Sequence, residues 1–179
     1  MTDRSQLTLG RALLRTVSEC VDVGLTAVVV REHDLAPTAR AALVRELVAL
    51  PGLTVISSRI HDDAAHGLHV AAQQHAPTTG PWGRSCHSRA KVSRAAAEGA
   101  SWATLSPYAE SASKRGHRSV LTASHFTDHP IPVLALSGID PHNAADAVAA
   151  GAHGVAVMGA VMRAAEPAAV VADLLEALQ

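Results

Sequence analysis

The sequence predicts an α/β fold, a (β/α)8 barrel of the TIM type in which strand 1 is absent or truncated. Short apolar runs without polar alternation occur at residues 25–31, 53–57 and 132–136. Such runs are typical of strands buried on both faces of a parallel sheet. Alanine-rich helical segments separate them throughout the chain, with no linker, internal repeat or composition shift. We therefore expect a single domain over residues 1–179.

The first half of the chain begins with a helix rather than a strand. Helical spacing of apolar residues predicts a first helix over residues 13–23, ended by Gly24. A strand at 25–31, an amphipathic helix at 36–50 and a strand at 53–57 follow. Because strand 1 is missing from this order, we expect either a start codon upstream or an open barrel. Open strand edges favour pairing, so a homodimer is expected in the second case.

The second half continues the alternation, apart from two connections that are too short for a full helix. The segment around residues 62–66 is reduced to a turn, and residues 75–81 form a loop rich in Pro, Thr and Gly. The remaining predicted strands lie at 67–70, from 82, and at 102–105, 132–136 and 154–157. The remaining predicted helices lie at 89–98 (with Ser88 as N-cap), 116–128 (weak), 143–150, from 159 and at 167–178.

Composition limits the functions that this chain can have. Hydrophobic residues make up 48% and aromatic residues 2%, so Ala, Val and Leu must form the core. The formal net charge is −1 and no basic stripe is present, which argues against nucleic acid as a partner. No apolar run reaches the ~20 residues of a membrane span and no signal peptide is recognisable, so we expect no membrane association and a cytoplasmic location. Cys20 and Cys86 lack ligand spacing, which indicates reduced thiols.

Glycines that follow the last two predicted strands indicate an anion site. Gly138 comes after the strand at 132–136, and Met158-Gly159 comes after the strand at 154–157. Parallel strands end at the same edge of a sheet, so backbone N–H groups near helix N-termini would surround a phosphate there. The common phosphate site of (β/α)8 barrels lies after strands 7 and 8. The alternative interpretation is a βαβ unit whose glycines serve packing only.

The same stretch resembles the thiamine phosphate synthase/TenI superfamily. SGIDPHN and AGAHGVAVMGAV stand where the family has GGI-x-P-x-N and AGA-x-GVAV, and REHD, GRSCHS and SASK fall in family order. The family's first strand ends in a TDR-like turn, which here stands at residues 2–4. The resemblance implies a barrel that binds a thiazole phosphate. It also implies that Gly138, Met158 and Gly159 hold the phosphate by their backbone.

Two further motifs add residues to this expected site. Ser111, Ser113 and Lys114 match the two Thr and the Lys of the family's strand-6 loop. Hydroxyls and an ammonium donate charge-assisted hydrogen bonds that suit phosphate or pyrophosphate, although an SxSK sequence alone is usually a solvated loop. Ser85 falls on the Ser of the family's G-x-S-x-H motif and is expected to bind substrate.

The acids that hold magnesium in the family are replaced in this chain. Ser57-Ser58 stands in place of the family's Asn-Asp pair, and residues 71–74 supply no carboxylate. Asp62 and Asp63 are poor substitutes, because adjacent side chains diverge. We therefore expect no metal site and no required cofactor, with magnesium needed only if the chain is a synthase.

Three functions remain open, and we favour a TenI-type thiazole tautomerase. This reaction moves a proton and needs a base of near-neutral pKa, for which His33 is the first candidate and His69 and His87 are weaker ones. TenI-type tautomerases carry a histidine where this chain has Pro107. One alternative is a thiamine phosphate synthase, which transfers the pyrimidine from its pyrophosphate to thiazole phosphate. The other is a non-catalytic binding or regulatory protein.

Arg31 and His33 are the predicted catalytic residues. Strand alternation places both at the mouth of the barrel, where they replace the Arg and Lys of the family's REK. Arg31 would orient a substrate carboxylate and keep the neighbouring imidazole neutral. The alternatives are that Arg31 forms an ion pair with Glu32 or Asp34, and that His33 pairs with Asp34.

Overall fold

A computed structural model describes residues 1–110 and 120–179 and divides into two compact units. The first unit comprises Met1–His69 and Met158–Glu176, and the second comprises Val70–Val157 and Ala177–Gln179. The strands are β1 (Ala27–Val30), β2 (Thr54–Ser58), β3 (Gly67–Val70), β4 (Trp82–Cys86), β5 (Trp102–Leu105), β6 (Val133–Leu136) and β7 (Gly154–Ala156). The helices are α1 (Leu13–Asp22), α2 (Pro37–Val48), α3 (Arg89–Ala97), α4 (Ala144–Ala149), α5 (Gly159–Met162) and α6 (Pro167–Ala177).

The first unit contains a parallel sheet in the order β1-β2-β3. Apolar strand residues pack under α2, where Val30, Val44, Leu47 and Val55 are fully buried. The Arg40 guanidinium of α2 is buried as well, and it donates hydrogen bonds to Ser57 Oγ at 2.8 Å and to the Val30 carbonyl at 3.3 Å. A charged group thus ties α2 to the ends of both strands.

Residues at the start of the chain lie beside β1. The Thr2 N–H donates to the Val29 carbonyl at 2.9 Å, and Thr2 Oγ1 accepts from the Arg31 N–H at 3.0 Å. Thr2 is fully buried, so these contacts fix the backbone where β1 ends. The expectations of an absent or truncated strand 1 and of a homodimer stay predictions.

The second unit contains a parallel sheet in the order β4-β5-β6-β7. Its core is built from Cys86, Val92, Leu105 and Val133, all fully buried. The helix α3 begins as predicted at Ser88, whose Oγ accepts a hydrogen bond from the Lys91 N–H. Parallel strands that alternate with helices in both units confirm the predicted α/β class. In the described part of the chain no helix has the length and apolar character needed to cross a bilayer.

The weak helix predicted over residues 116–128 is wrong within its described part. Residues 120–128 contain only a 3-10 turn, Ala123–His125. The Arg89 guanidinium donates to the carbonyls of Ser124 and Thr127, both at 2.7 Å, so these acceptors are engaged outside a helix. Phe126 is buried and packs edge-on against Tyr108, which anchors the turn instead.

Gly83 in β4 has no room for a side chain, because the Trp102 indole lies against it. A Cβ at this position would lie 2.1 Å from Nε1 of Trp102, its register partner in β5. Gly83→Ala should therefore lower the free energy of unfolding by about 1–3 kcal/mol, the usual cost of overpacking. Urea denaturation measures the loss, and the same substitution in a Trp102→Leu background should cost less. An equal loss in both backgrounds would contradict the indole clash.

Candidate functional site

Arg31 lies directly after β1, and its acidic neighbours are engaged elsewhere. The Arg31 guanidinium lies against the Met158 thioether. Arg4 instead forms salt bridges with both carboxylates that could have paired with Arg31. Its Nη1 lies 3.1 Å from Glu32 Oε2 and 2.6 Å from Asp34 Oδ1. The alternative that Arg31 pairs with these acids is therefore wrong, and among the described residues Arg31 forms no salt bridge with a carboxylate. Its charge is available to an anionic ligand.

A second guanidinium lies next to Met158-Gly159 in the same unit. Arg163 places Nη1 2.5 Å from the position that a Gly159 Cβ would occupy, and it also donates to Gln6 Oε1. Arg163 is the fourth residue after Gly159, a spacing that brings two helical positions onto one face. This spacing was the signal that the sequence analysis missed. Arg31 and Arg163 together make the Met158-Gly159 segment a positively charged surface.

His33 is held as a neutral base at the ends of β1 and β2. Its Nε2 lies 3.2 Å from Ser58 Oγ, whereas Asp34 is bound by Arg4, so the alternative His33–Asp34 pair does not form. Partial burial lowers the His33 pKa, and the charges of Arg59 and then Arg31 lower it further. The expected effect of Arg31 on this pKa is therefore supported, but it is smaller than that of burial or Arg59. A neutral imidazole at pH 7 can accept a proton or donate one hydrogen bond.

Arg59 is a further cation of this region that the sequence analysis did not identify. It follows β2 with a φ of +62°, and its N–H donates to the His69 carbonyl at 2.9 Å. Its charge lowers the pKa of both His33 and His69. A left-handed conformation is uncommon for a residue with a side chain, and such positions cluster at functional sites. An exposed guanidinium thus stands next to Ser57-Ser58, where the family resemblance implies metal-binding acids.

The residues of this region do not fit a magnesium ion, which needs several oxygen ligands in octahedral geometry. Ser58 Oγ contacts His33, and Asp62 Oδ1 accepts from the Ala64 N–H. Asp63 Oδ1 lies 2.9 Å from His61 Nε2. Across residues 1–110 and 120–179, no three His, Cys, Asp or Glu side chains are placed to share a metal. We therefore derive no chemical step through magnesium.

In the second unit, Gly138 occupies a position that only glycine fits. Its φ is +66°, and a Cβ would lie 2.6 Å from the Glu110 carbonyl oxygen. Asn143 Nδ2 donates to the Gly138 carbonyl at 2.8 Å, and α4 begins only after Asn143. The helix thus begins within one residue of its predicted start at 143, with residues 139–143 between it and Gly138, and phosphate binding at Gly138 stays a prediction.

Other predicted residues of the second unit are placed as follows. Ser85 lies in β4 and lines a cavity next to α3. His87 Nδ1 lies 2.9 Å from the Ser106 carbonyl oxygen and 3.1 Å from its Oγ, so this ring is tied to the end of β5. The strand-6 loop residues Ser111, Ser113 and Lys114 lie outside the described residues.

The sequence and the fold both match known proteins. A family described as thiamine monophosphate synthase (TMP-TENI) matches residues 1–161. The chain belongs to this family. A putative thiamine-phosphate synthase of Geobacter sulfurreducens is 31% identical over 93% of this chain and 87% of that protein. The thiamine-phosphate synthase of Nostoc sp. is also 31% identical, but this chain covers only 53% of it, about half its length.

Solved structures of low sequence identity share the fold. A thiamine phosphate pyrophosphorylase from Pyrococcus furiosus has a TM-score of 0.84 at 21% identity, covering 99% of this chain and 92% of that one. A 3-hexulose-6-phosphate synthase has a TM-score of 0.69 at 15% identity, covering 93% of each chain. At these identities the likeness concerns the fold alone. It supports an α/β fold of the TIM-barrel type, while closure into eight strands stays a prediction.

Proposed function

We propose that this chain makes thiamine phosphate, by transferring a pyrimidine from its pyrophosphate to a thiazole phosphate. Relatives about one third identical are named thiamine-phosphate synthases, which supports this reaction over the tautomerase favoured by the sequence analysis. The observation that carries the proposal is the set of guanidiniums in the first unit, Arg31, Arg59 and Arg163, of which Arg31 forms no salt bridge with any described carboxylate.

The transfer requires above all that the protein stabilises the departing pyrophosphate. A bond from the thiazole to the pyrimidine's methylene carbon forms as the carbon–oxygen bond to pyrophosphate breaks. The bonding electrons leave with the pyrophosphate, which gains negative charge. Guanidiniums that donate two parallel hydrogen bonds stabilise such oxyanions, so Arg31 and Arg59 are proposed to bind the pyrophosphate. Neutral His33 adds a hydrogen bond from the same region.

The other end of the reaction is the thiazole phosphate. Its phosphate is proposed to bind at the backbone of Gly138, Met158 and Gly159, as the resemblance implies. Arg163 adds a charge at Gly159. Ser111, Ser113 and Lys114 are proposed to contact phosphate or pyrophosphate, and Ser85 to contact the substrate.

The proposal is tested by supplying both substrates to the purified protein. Thiamine phosphate is measured by mass spectrometry and released pyrophosphate by ³¹P NMR, with magnesium and with a chelator. We expect both products in equal amounts. Chelation should slow the reaction by less than about tenfold, because guanidiniums rather than carboxylates supply the binding groups of the protein. If thiamine phosphate forms neither with magnesium nor with the chelator, the proposal is rejected.

A second candidate, the thiazole tautomerase, is favoured by the neutral His33 near Arg31. In that case the protein should exchange a thiazole phosphate proton with solvent deuterium, as followed by NMR, and His33→Asn should abolish the exchange. Exchange without thiamine phosphate formation would favour the tautomerase. Absence of both reactions, with retained ligand binding, would favour a non-catalytic binding protein.

A further inference from the structure

A cavity of about 440 Å³ is lined by residues of the second unit. Its walls come from the connection between β3 and β4, from β4 and from α3. Residues 71–81 make this connection without a helix. The charged and titratable lining residues are His75, Arg84, Lys91, Arg94 and Glu98.

Arg84 is the residue around which this cavity is built. Its side chain is 9% exposed, stacks over the Trp82 ring at 5.2 Å and places Nη2 2.9 Å from Glu98 Oε2. It therefore points towards α3. Ser85 also lines the cavity, and as the next strand residue its side chain alternates to the opposite face of β4.

Two of the three guanidinium nitrogens of Arg84 lack a well-oriented hydrogen bond within the described residues. Neither Nε nor Nη2 makes a hydrogen bond of acceptable geometry, although both are buried. Glu98 also accepts a hydrogen bond from Arg94 Nε at 2.7 Å, so one carboxylate serves two guanidiniums. A buried guanidinium with unmet donors is costly, and an oxyanion would satisfy it through two parallel hydrogen bonds.

We propose that this cavity binds a small molecule carrying a phosphate monoester. Arg84, Lys91 and Arg94 face a single carboxylate, Glu98, so the formal charge of the cavity is +2 and matches a phosphate dianion. Lys91 and Arg94 lie one turn apart on α3, and both line the cavity. The volume lies in the range of ~300–1,000 Å³ typical of ligand pockets, so a sugar-sized body fits beside the phosphate.

NMR of the Arg84 Nε–H group tests the proposal directly. We expect its resonance to shift saturably with ribose 5-phosphate, and more weakly with inorganic phosphate, which leaves most of the cavity unfilled. Lys91→Ala and Arg94→Ala should each raise the dissociation constant by at least about tenfold, the lower end for one charged hydrogen bond. The matched control Arg45→Ala removes an exposed helical cation of α2 and should leave binding unchanged. Arg31→Ala should also leave the Arg84 shift and its dissociation constant unchanged, because Arg31 belongs to the proposed catalytic site and not to this cavity.

Several results would overturn the inference. One is the absence of a shift at Arg84 with either probe. Another is an equal loss of affinity in Arg45→Ala, which would indicate non-specific attraction to surface charge. Equal affinity for the two probes would reject the phosphate monoester. Circular dichroism of each variant confirms that the fold is intact, and Lys91→Ala and Arg94→Ala provide independent tests if one of them unfolds.

Discussion

Replacement of Arg31 by alanine should lower kcat/KM for thiamine phosphate formation by about 10²–10³-fold, the range found when one preorganised donor to a developing charge is removed. The guanidinium is proposed to bind the departing pyrophosphate. Because Arg4 holds Glu32 and Asp34, neither of these two neighbouring carboxylates competes for it. Arg31→Lys should fall between wild type and alanine, since lysine keeps the charge but loses the paired donors.

Steady-state kinetics with both substrates, together with thermal unfolding of each variant, measure this effect. Arg45→Ala serves as the matched control, because it removes an exposed guanidinium from α2 without touching β1. A fall in activity that parallels a fall in stability would assign Arg31 to folding. Unchanged kcat/KM in a stable Arg31→Ala protein would show that pyrophosphate is bound elsewhere.

Most strands could be predicted from the sequence because they are buried on both faces. The apolar run at residues 27–30 shows neither helical periodicity nor polar alternation, and it forms β1. The segment 116–128 lacks such a pattern, and its described part follows side-chain contacts from Arg89 and Phe126 that local sequence does not reveal. Helix α3 was predicted because Ser88 gives it a clear N-terminal signal.

The candidate site could be predicted only where it depends on strand alternation. Arg31 and His33 lie at the end of β1 as expected. Arg59 and Arg163 were missed. The position of Arg59 depends on a left-handed backbone, and that of Arg163 on a helix of four residues. The pairing of Arg4 with Glu32 and Asp34 was equally hidden, since these residues are about 30 positions apart. Long-range charge pairing is decided by the fold and leaves no local pattern.

Lowering the pH from 7 to 4 should destabilise the protein by about 3 kcal/mol through His69 alone. His69 lies in β3 with 2% of its surface exposed. Burial, followed by the charge of Arg59, lowers its pKa from 6.5 to about 4. Between pH 4 and pH 6.5, His69 is therefore protonated in the unfolded chain and neutral in the folded chain. The stabilisation is complete above pH 6.5 and is lost progressively as the pH falls to 4.

Urea denaturation at pH 7 and pH 4 tests this effect in wild type, His69→Asn and His61→Asn. Asparagine does not titrate, so His69→Asn should lose about 3 kcal/mol less than wild type between the two pH values. His61 is exposed near Asp63, and its replacement provides the same histidine-to-asparagine change at the protein surface. The comparison uses differences between pH values, so any constant cost of packing asparagine in β3 cancels. Equal losses of unfolding free energy in wild type and His69→Asn would contradict the prediction. They would mean that burial in β3 and the charge of Arg59 do not lower the His69 pKa.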